Sequence, residues 1–590
     1  MSRTKRLLNK FIDFSLLMRV LRLAAPHKTK FYTAVFIAVL MAGLSILNPY
    51  IIQITLDKYI LQGNYQMLVT MSSVLLISLF VQGFLSYQFT FTTALLGQNI
   101  IQSLRVKVFA HLLHMNVRFF DKTPIGISTT RTVNDVETIN DIFSEGIITI
   151  LSDLLTIIVV LIFMFSMSWK LTLVAMSILP LLILSAWIFK EGIKKSFTEV
   201  RNQVARLNTF VQEHLTGMSV VQLFTAEERE MTKFKIINRD HRDAHISSNW
   251  YYSIFFPMVE IISALSIALL VWYWSGKYLE NEVTVGMLSS FIICINLLFR
   301  PIRMLADKFN TLQMGMVAAD RVFKLIDSDD CIQNTGKIRA RKLKGEIAFE
   351  NVWFAYDDDY YVLKDVSFKV KAGESLAIVG ATGSGKTTII NLLMRFYDVH
   401  RGRITIDGID IRDYDVYSLR KNLGMVLQDV FLFSGSVLDN ICLRNKSISR
   451  EQVINASQLC GINEFVEHLP GGYDYLVKER GSTLSMGQRQ LISFVRALVH
   501  DPAILILDEA TSSIDTESEQ IIQRAIQKMV SNRTSIIIAH RLSTIQNSNT
   551  ILVLDHAEVK ECGTHEQLIA LNGFYKKLYE MQFRKEKLMV

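Results

Sequence analysis

The sequence predicts two dissimilar parts in succession: an all-α membrane domain of six spans, then an α/β domain built on a parallel sheet. Three observations predict it. The 590 residues are 50% hydrophobic yet 20% charged, too apolar for a soluble chain throughout and too charged for a membrane chain throughout. The apolar residues gather before residue 306, in uncharged runs of membrane length. After residue 343 short β-rich runs alternate with turns around the glycine-rich stretch GATGSGKTT, Gly380 to Thr388. The abundance of Leu, Ile, Val and Phe excludes disorder. With 8 prolines and 28 glycines the chain is not collagen-like or linker-rich. Its 5 cysteines, Cys294, Cys331, Cys442, Cys460 and Cys562, are scattered and never spaced C-x-x-C, which argues against a disulfide framework and a structural zinc site.

Between residues 31 and 104 the only charges are Asp57 and Lys58, which separate two apolar runs at 31–55 and 66–92. Each run supplies the ~20 residues that a membrane helix needs. A second block, broken only by Asp153 and by Lys170 in the turn SMSWK, reads as spans at 146–168 and 171–189. A third pair, 252–274 and 283–305, flanks SGKYLENEV. Buried helices of a soluble core rarely run so far without charge.

The N-terminal segment 1–30 carries Arg3, Lys5, Arg6, Lys10, Arg19, Arg22, Lys28 and Lys30 against the single acid Asp13. The loops after the first, third and fifth spans are short and poor in Lys and Arg, so the positive-inside rule puts both termini on the cytoplasmic side. SLLMRVLRLAAP, 15–26, alternates apolar and basic residues at helical spacing, as an interfacial elbow helix does. The segments 93–145 and 190–251 are charged and poor in proline and glycine, and read as helical extensions of the spans. Arms of about 25 residues reach ~38 Å at 1.5 Å per residue, so something at that depth must meet them. The expected division is 1–30, a membrane domain 31–325, a polar linker 326–343 and a second domain 344–590.

In that second domain Gly380, Gly385, Lys386 and Thr387 match P-loop spacing, directly after the apolar strand SLAIV and before the helical IINLLMRF. Glycines at 380, 383 and 385 let successive N–H groups turn toward a phosphate, and the helix N-terminus adds its dipole. Ala381, Thr382, Ser384 and Thr388 complete the loop. Lys386 can reach the β- and γ-phosphates, and Thr387 can ligate Mg2+. A second continuous apolar strand, AILILDEA, ends in Asp508 and Glu509 at the carboxyl edge of the sheet, where ligands bind. Asp508 is the natural Mg2+ partner, and Glu509 is positioned to accept a proton from water.

Taken with these two motifs, Leu484-Ser485-Met486-Gly487-Gln488, Gln428 in VLQDVFLF, Ser512-Ser513-Ile514-Asp515, His540 in IIIAHRLST and Tyr356 resemble, in order, the motifs of ATP-binding-cassette (ABC) exporters. FFDKTPIGISTTRTVNDVE and LTGMSVVQLFTAEERE are similar to the two coupling-helix regions, so the resemblance spans nearly the whole chain. It implies a half-transporter: a type I exporter-like membrane domain, then a nucleotide-binding domain with a helical subdomain. It implies ATP and Mg2+ as ligands, with Lys386, Glu509 and His540 catalytic. Thr387, Gln428 and Asp508 would hold Mg2+. Tyr356 would stack on adenine, and Ser485, Gly487 and Gln488 would bind nucleotide as the signature. In the family the signature of one protomer caps the γ-phosphate on the other, so a dimer is implied.

Met486 departs from the family's LSGGQ, where the first glycine permits close backbone approach. With Glu509 present, the combination resembles the catalytically competent subunit of heterodimeric bacterial multidrug exporters. The expected partner is therefore a second half-transporter, with a homodimer as the alternative. The expected location is a bacterial cytoplasmic membrane, with lipids around the spans, and the expected cargo is amphipathic: a drug, lipid or peptide. Glu260 and Asp153 stand inside the spans, where charge costs ~2.5–3.5 kcal/mol and invites either a functional role or a helix–helix contact. Intact Glu509 weighs against a channel or regulator on the same scaffold, and the spans exclude a soluble ATPase acting on DNA or RNA. Import on the same fold is the remaining alternative.

Overall fold

The computed structural model describes residues 13–60, 63–280, 282–357, 360–508, 516–531, 533–538 and 542–583. The chain divides into two compact units, one of Met1–Leu113 with Thr123–Asp329 and one of His114–Lys122 with Asp330–Val590.

The first unit is helical. Ala25–Ile60, Tyr65–Leu113, Ile125–Met167, Trp169–Thr216, Glu227–Leu279 and Val285–Met304 are each long and apolar enough to cross a membrane, matching the six spans the sequence predicts. The four between Tyr65 and Leu279 run 43 to 53 residues, well beyond the span itself. Three of the charged exceptions inside this unit, Asp57, Glu260 and Asp153, are matched. The Asp57 carboxylate accepts from the Thr284 hydroxyl at 2.6 Å and from the Gly286 N–H at 2.8 Å. It thereby satisfies the N-terminus of the last helix, where a negative charge also suits the dipole. A Cβ on Gly286 would lie 2.5 Å from the Gln53 carbonyl oxygen, so only glycine permits this approach. Glu260 is ion-paired with Arg303, and Asp153 with Lys308, both bases on the last helix. Asp13 caps the helix Phe14–Arg22, in the expected elbow segment. Its Arg19 forks onto Asp327 at 2.5 and 2.6 Å and lies 4.0 Å over the Phe323 ring.

The second unit is α/β. Its strands are β1 (Ile347–Ala355), β2 (Tyr361–Val370), β3 (Ser375–Gly380), β4 (Arg401–Ile406), β5 (Ile409–Asp410), β6 (Leu423–Val426), β7 (Gly435–Ser436), β8 (Leu476–Val477), β9 (Ile504–Asp508), β10 (Thr534–Ile538), β11 (Thr550–Asp555) and β12 (Glu558–Gly563). One sheet runs β12-β11-β3-β10-β9-β6, parallel except for β12, and a second, antiparallel, runs β2-β1-β4-β5. The continuous apolar runs of β3, β9, β10 and β11 are explained by two cores, one on each face. Leu376, Ile378, Ile504, Ile506, Ile536 and Leu552 join one core with the P-loop helix and the antiparallel sheet. Ala377, Val379, Leu505, Leu507, Ile537 and Val553 join the other with the helical subdomain. Register places Asp508 beside Ile538 and Ile538 beside Ile378, so the ends of β3 and β9 flank β10 at one edge.

Candidate active site

The P-loop leaves β3 at Gly380, where a Cβ would lie 2.3 Å from the Leu554 carbonyl oxygen and 2.6 Å from Ser384 Oγ. Gly383 and Gly385 take φ of +84° and +103°, a backbone that side chains disfavour. Gly385 then caps the helix Lys386–Leu393 without a side chain, so the first N–H groups remain for an anion. Ile389, Ile390, Leu392 and Leu393 anchor that helix in the core. Lys386 Nζ donates to the carbonyls of Gly380 at 2.8 Å and Ala381 at 2.9 Å. Burial lowers the Lys386 pKa, opposed by the Asp508 charge. Burial raises the Asp508 pKa, Lys386 opposing it and Asp429 adding to it. Ser384 Oγ is buried with no hydrogen-bond partner among the described residues.

A desolvated cation, a buried carboxylate, an orphaned hydroxyl and uncapped N–H groups fit a polyphosphate with a hard divalent cation.

Residues 31–302 match the family model described as ABC transporter transmembrane region, and residues 363–512 match that described as ABC transporter. An uncharacterized ABC transporter ATP-binding protein, YknV, of Bacillus subtilis is 38% identical over 98% of this chain and 96% of its own length. An ATP-dependent lipid A-core flippase of Syntrophus aciditrophicus is 34% identical over 96% of this chain and 95% of its own. Among solved structures, a bacterial Atm1-family ABC exporter with ATP bound aligns at a TM-score of 0.77 and 30% identity, covering 94% of this chain and 98% of that one. The chain belongs to the ABC transporter family.

It is an ATP-hydrolysing, exporter-type half-transporter and an integral membrane protein. Within this ABC half-transporter, Tyr356 follows the end of β1, half-buried, its ring 4.9 Å from Phe354 and 5.1 Å from Tyr397. Its hydroxyl donates to Thr388 Oγ1 at 3.3 Å and accepts from Asn391 Nδ2 at 3.2 Å. Ala381, Thr382, Gly383 and Thr387 are exposed along the loop. Gln428 is exposed just beyond β6, the strand that pairs with β9. Sequence reasoning missed its neighbour Asp429, whose charge bears on Asp508. It also missed Asn391 and Tyr397, which flank Tyr356; only tertiary contact brings these groups into view.

The signature lies apart. Ser485 is the exposed N-cap of the helix Met486–Val499, in a capping box: its hydroxyl accepts from the Gln488 N–H at 3.2 Å, and Gln488 Oε1 accepts from the Ser485 N–H at 2.9 Å. Gly487 is buried in the first turn. Leu491, Ile492, Phe494 and Val495 fix this helix in the core on the sheet face opposite the P-loop helix. Among the described residues Ser485, Gly487 and Gln488 make no hydrogen bond to the P-loop. Met486 keeps helical backbone geometry, so the departure from glycine affects what its side chain meets and not the local fold. Glu509, the D-loop Ser512–Asp515 and His540 lie outside the described residues.

Proposed function

We propose that this half-transporter exports an amphipathic substrate by alternating access as one half of a heterodimer, its nucleotide-binding unit on the cytoplasmic side of a bacterial inner membrane. The observation that carries the nucleotide chemistry is the half-buried Lys386 and the buried Asp508, each within reach of the other's charge, with the unpartnered Ser384 hydroxyl in the same loop. In this reading Lys386 and the uncapped N–H groups at the start of the helix Lys386–Leu393 hold the β- and γ-phosphates of ATP, and Tyr356 takes the adenine. Thr387, Asp508 and Gln428 hold Mg2+. When bound, that ion neutralises charge on the transferring phosphoryl group. Glu509 accepts the proton of the attacking water and His540 orients near the γ-phosphate, roles that rest on the sequence motif. Ser485 and the N-terminus of its helix serve as anion donors to nucleotide on the opposing subunit. Closure of the two subunits would pass through the coupling regions to the spans.

Heterodimerisation is supported by Met486 standing in the signature of a chain that retains Glu509. An amphipathic cargo is supported by the flippase relative. The test is ATP hydrolysis by the purified chain in lipid nanodiscs, alone and with a second half-transporter lacking the glutamate after its Walker aspartate. Stimulation only in the mixed pair supports the heterodimer. Vigorous hydrolysis by the chain alone, abolished by Glu509→Gln, replaces it with a homodimer. Absence of ATPase in both would sink the catalytic reading.

A further inference from the structure

Beyond the fourth span the helix Leu179–Thr216 turns back into the helix Glu227–Leu279 through the short helix Met218–Leu223. No residue of that short helix is buried, and Val220, Leu223 and Phe224 are exposed, so apolar packing does not hold the turn. Across its mouth runs a polar link instead. His214, in the last turn of the first helix, has Nε2 3.0 Å from Oε2 of Glu230, in the first turn of the next. The next polar link between the two arms, Arg206 to Asp240 at 2.9 Å, stands about two turns back along the helix.

The other ring nitrogen, Nδ1, lies 2.8 Å from the Phe210 carbonyl oxygen. A carbonyl and a carboxylate both only accept, and a neutral imidazole has a single N–H to offer. Only the doubly protonated ring donates to both, so the geometry calls for an imidazolium. That cation stands at a helix C-terminus and Glu230 at a helix N-terminus, the favourable end for each. The ring also stacks on Phe210, centroids 3.8 Å apart and planes at 20°. Glu213 on its own helix and Arg229, Glu230 and Lys233 on the next are the charged groups around it, and the short helix carries no titratable side chain. Glu230 first, and then the Phe210 carbonyl, raise the His214 pKa. Lys233 above all, with His214 and Arg229, holds the Glu230 carboxyl down at about 2, so Glu230 stays ionised while His214 titrates. Lys233 and Arg229 both take Oε1, at 2.9 and 3.1 Å, which leaves Oε2 to His214.

We propose that His214 is a proton-operated clasp: its imidazolium joins the two arms and holds the turn Gly217–Ala226 closed, so that coupling through this turn weakens as the pH rises. The proposal rests on the reading of 215–230 as a coupling region. Loss of one ring proton breaks the ion pair and one of the two hydrogen bonds. Because the folded pKa lies above the ordinary 6.5, the clasp is whole below that pH and is lost as the pH rises through the raised value.

The test is hydrogen–deuterium exchange of the full chain in lipid nanodiscs at about pH 6 and about pH 9, corrected for the intrinsic pH dependence of exchange. In the wild type the amides of 217–226 lose protection by roughly two- to five-fold at the higher pH, the range of a partly exposed ion pair, while 386–393 keeps its own. His214→Arg, a cation that does not titrate there, retains at the higher pH the protection that the wild type loses. His214→Gln, a neutral donor, is less protected than the wild type at the lower pH and equally protected at both. A merely structural histidine would lose protection in both variants alike. Protection of 217–226 that ignores pH in the wild type, or a pH dependence that persists in both variants, overturns the clasp. If exchange behaves as expected while the ATPase pH profile of His214→Arg matches that of the wild type, the clasp stands and the coupling reading of 215–230 falls.

Discussion

The two units treat charge in opposite ways. In the helical unit four prominent ionisable groups are matched: Glu260 with Arg303, Asp153 with Lys308, Arg19 with Asp327 and Asp57 with a helix N-terminus. At the P-loop matching is incomplete: Lys386 donates to two carbonyls, Asp508 is buried with its pKa raised, and Ser384 Oγ has no partner among the described residues. Burial of an unpaired polar group is costly. Yet the helical unit also holds buried atoms unpartnered among the described residues, such as Ser196 Oγ and Asp135 Oδ2. The orphan at the P-loop therefore counts only together with the buried carboxylate and uncapped N–H groups around it. Matched charge holds helices together; at the P-loop it is the convergence of a half-buried cation, a buried carboxylate and uncapped N–H groups that marks a binding place.

Four substitutions press on that contrast. The largest effect belongs to Lys386→Ala, which removes the cation facing the developing phosphoryl charge. ATPase kcat falls by roughly 10²–10³-fold while the thermal midpoint stays near wild type. A comparable loss of stability would show that Lys386 is structural after all. Next is Arg303→Ala, which strands Glu260 in a span at roughly 2.5–3.5 kcal/mol. It should lower the yield of folded protein and its midpoint in detergent, and Arg303→Ala/Glu260→Ala should recover most of both. If the double variant transports poorly despite folding, the pair is more than a helix clasp.

A subtler effect is expected from Asp429→Asn. The Asp429 charge raises the Asp508 pKa, so its removal lowers that pKa and keeps the carboxylate ionised at more acid pH. The acid limb of Mg2+-dependent ATPase should therefore move to lower pH, and an unmoved limb would show that Asp508 does not set it. The sign for stability is opposite to the usual carboxylate. A folded pKa above the unfolded one means that ionisation of Asp508 opposes folding as pH rises through that window. The smallest effect is Arg19→Ala, an exposed fork worth about 0.2–1 kcal/mol. It should be visible only as faster exchange in Phe14–Arg22.

The six spans were legible because each is a local run of apolar residues, and the P-loop because its function demands a fixed local spacing. Gly380, Gly383 and Gly385 carry that demand in close contacts and positive φ. The ion pairs were half legible: Glu260 and Asp153 stand out in their spans, but Arg303 and Lys308 are 43 and 155 residues further along the chain. Asp429, Asn391 and Tyr397 were illegible because each matters only through a neighbour that folding supplies. Met486 was legible as a departure, but its ordinary helical geometry had to be seen before backbone strain could be set aside.

The chain passes between its two units three times, at Leu113–His114, Lys122–Thr123 and Asp329–Asp330. A single protease cut after Asp329 therefore does not sever the nucleotide unit cleanly, because nine of its residues, His114 to Lys122, arrive from the other side of the cut. A fragment beginning at Asp330 should expose Tyr397, whose hydroxyl otherwise donates to Asp121, fold less stably, and regain stability from a free peptide of residues 114–122 added in trans. What looks in the sequence like a detachable module is, in its connectivity, a split one.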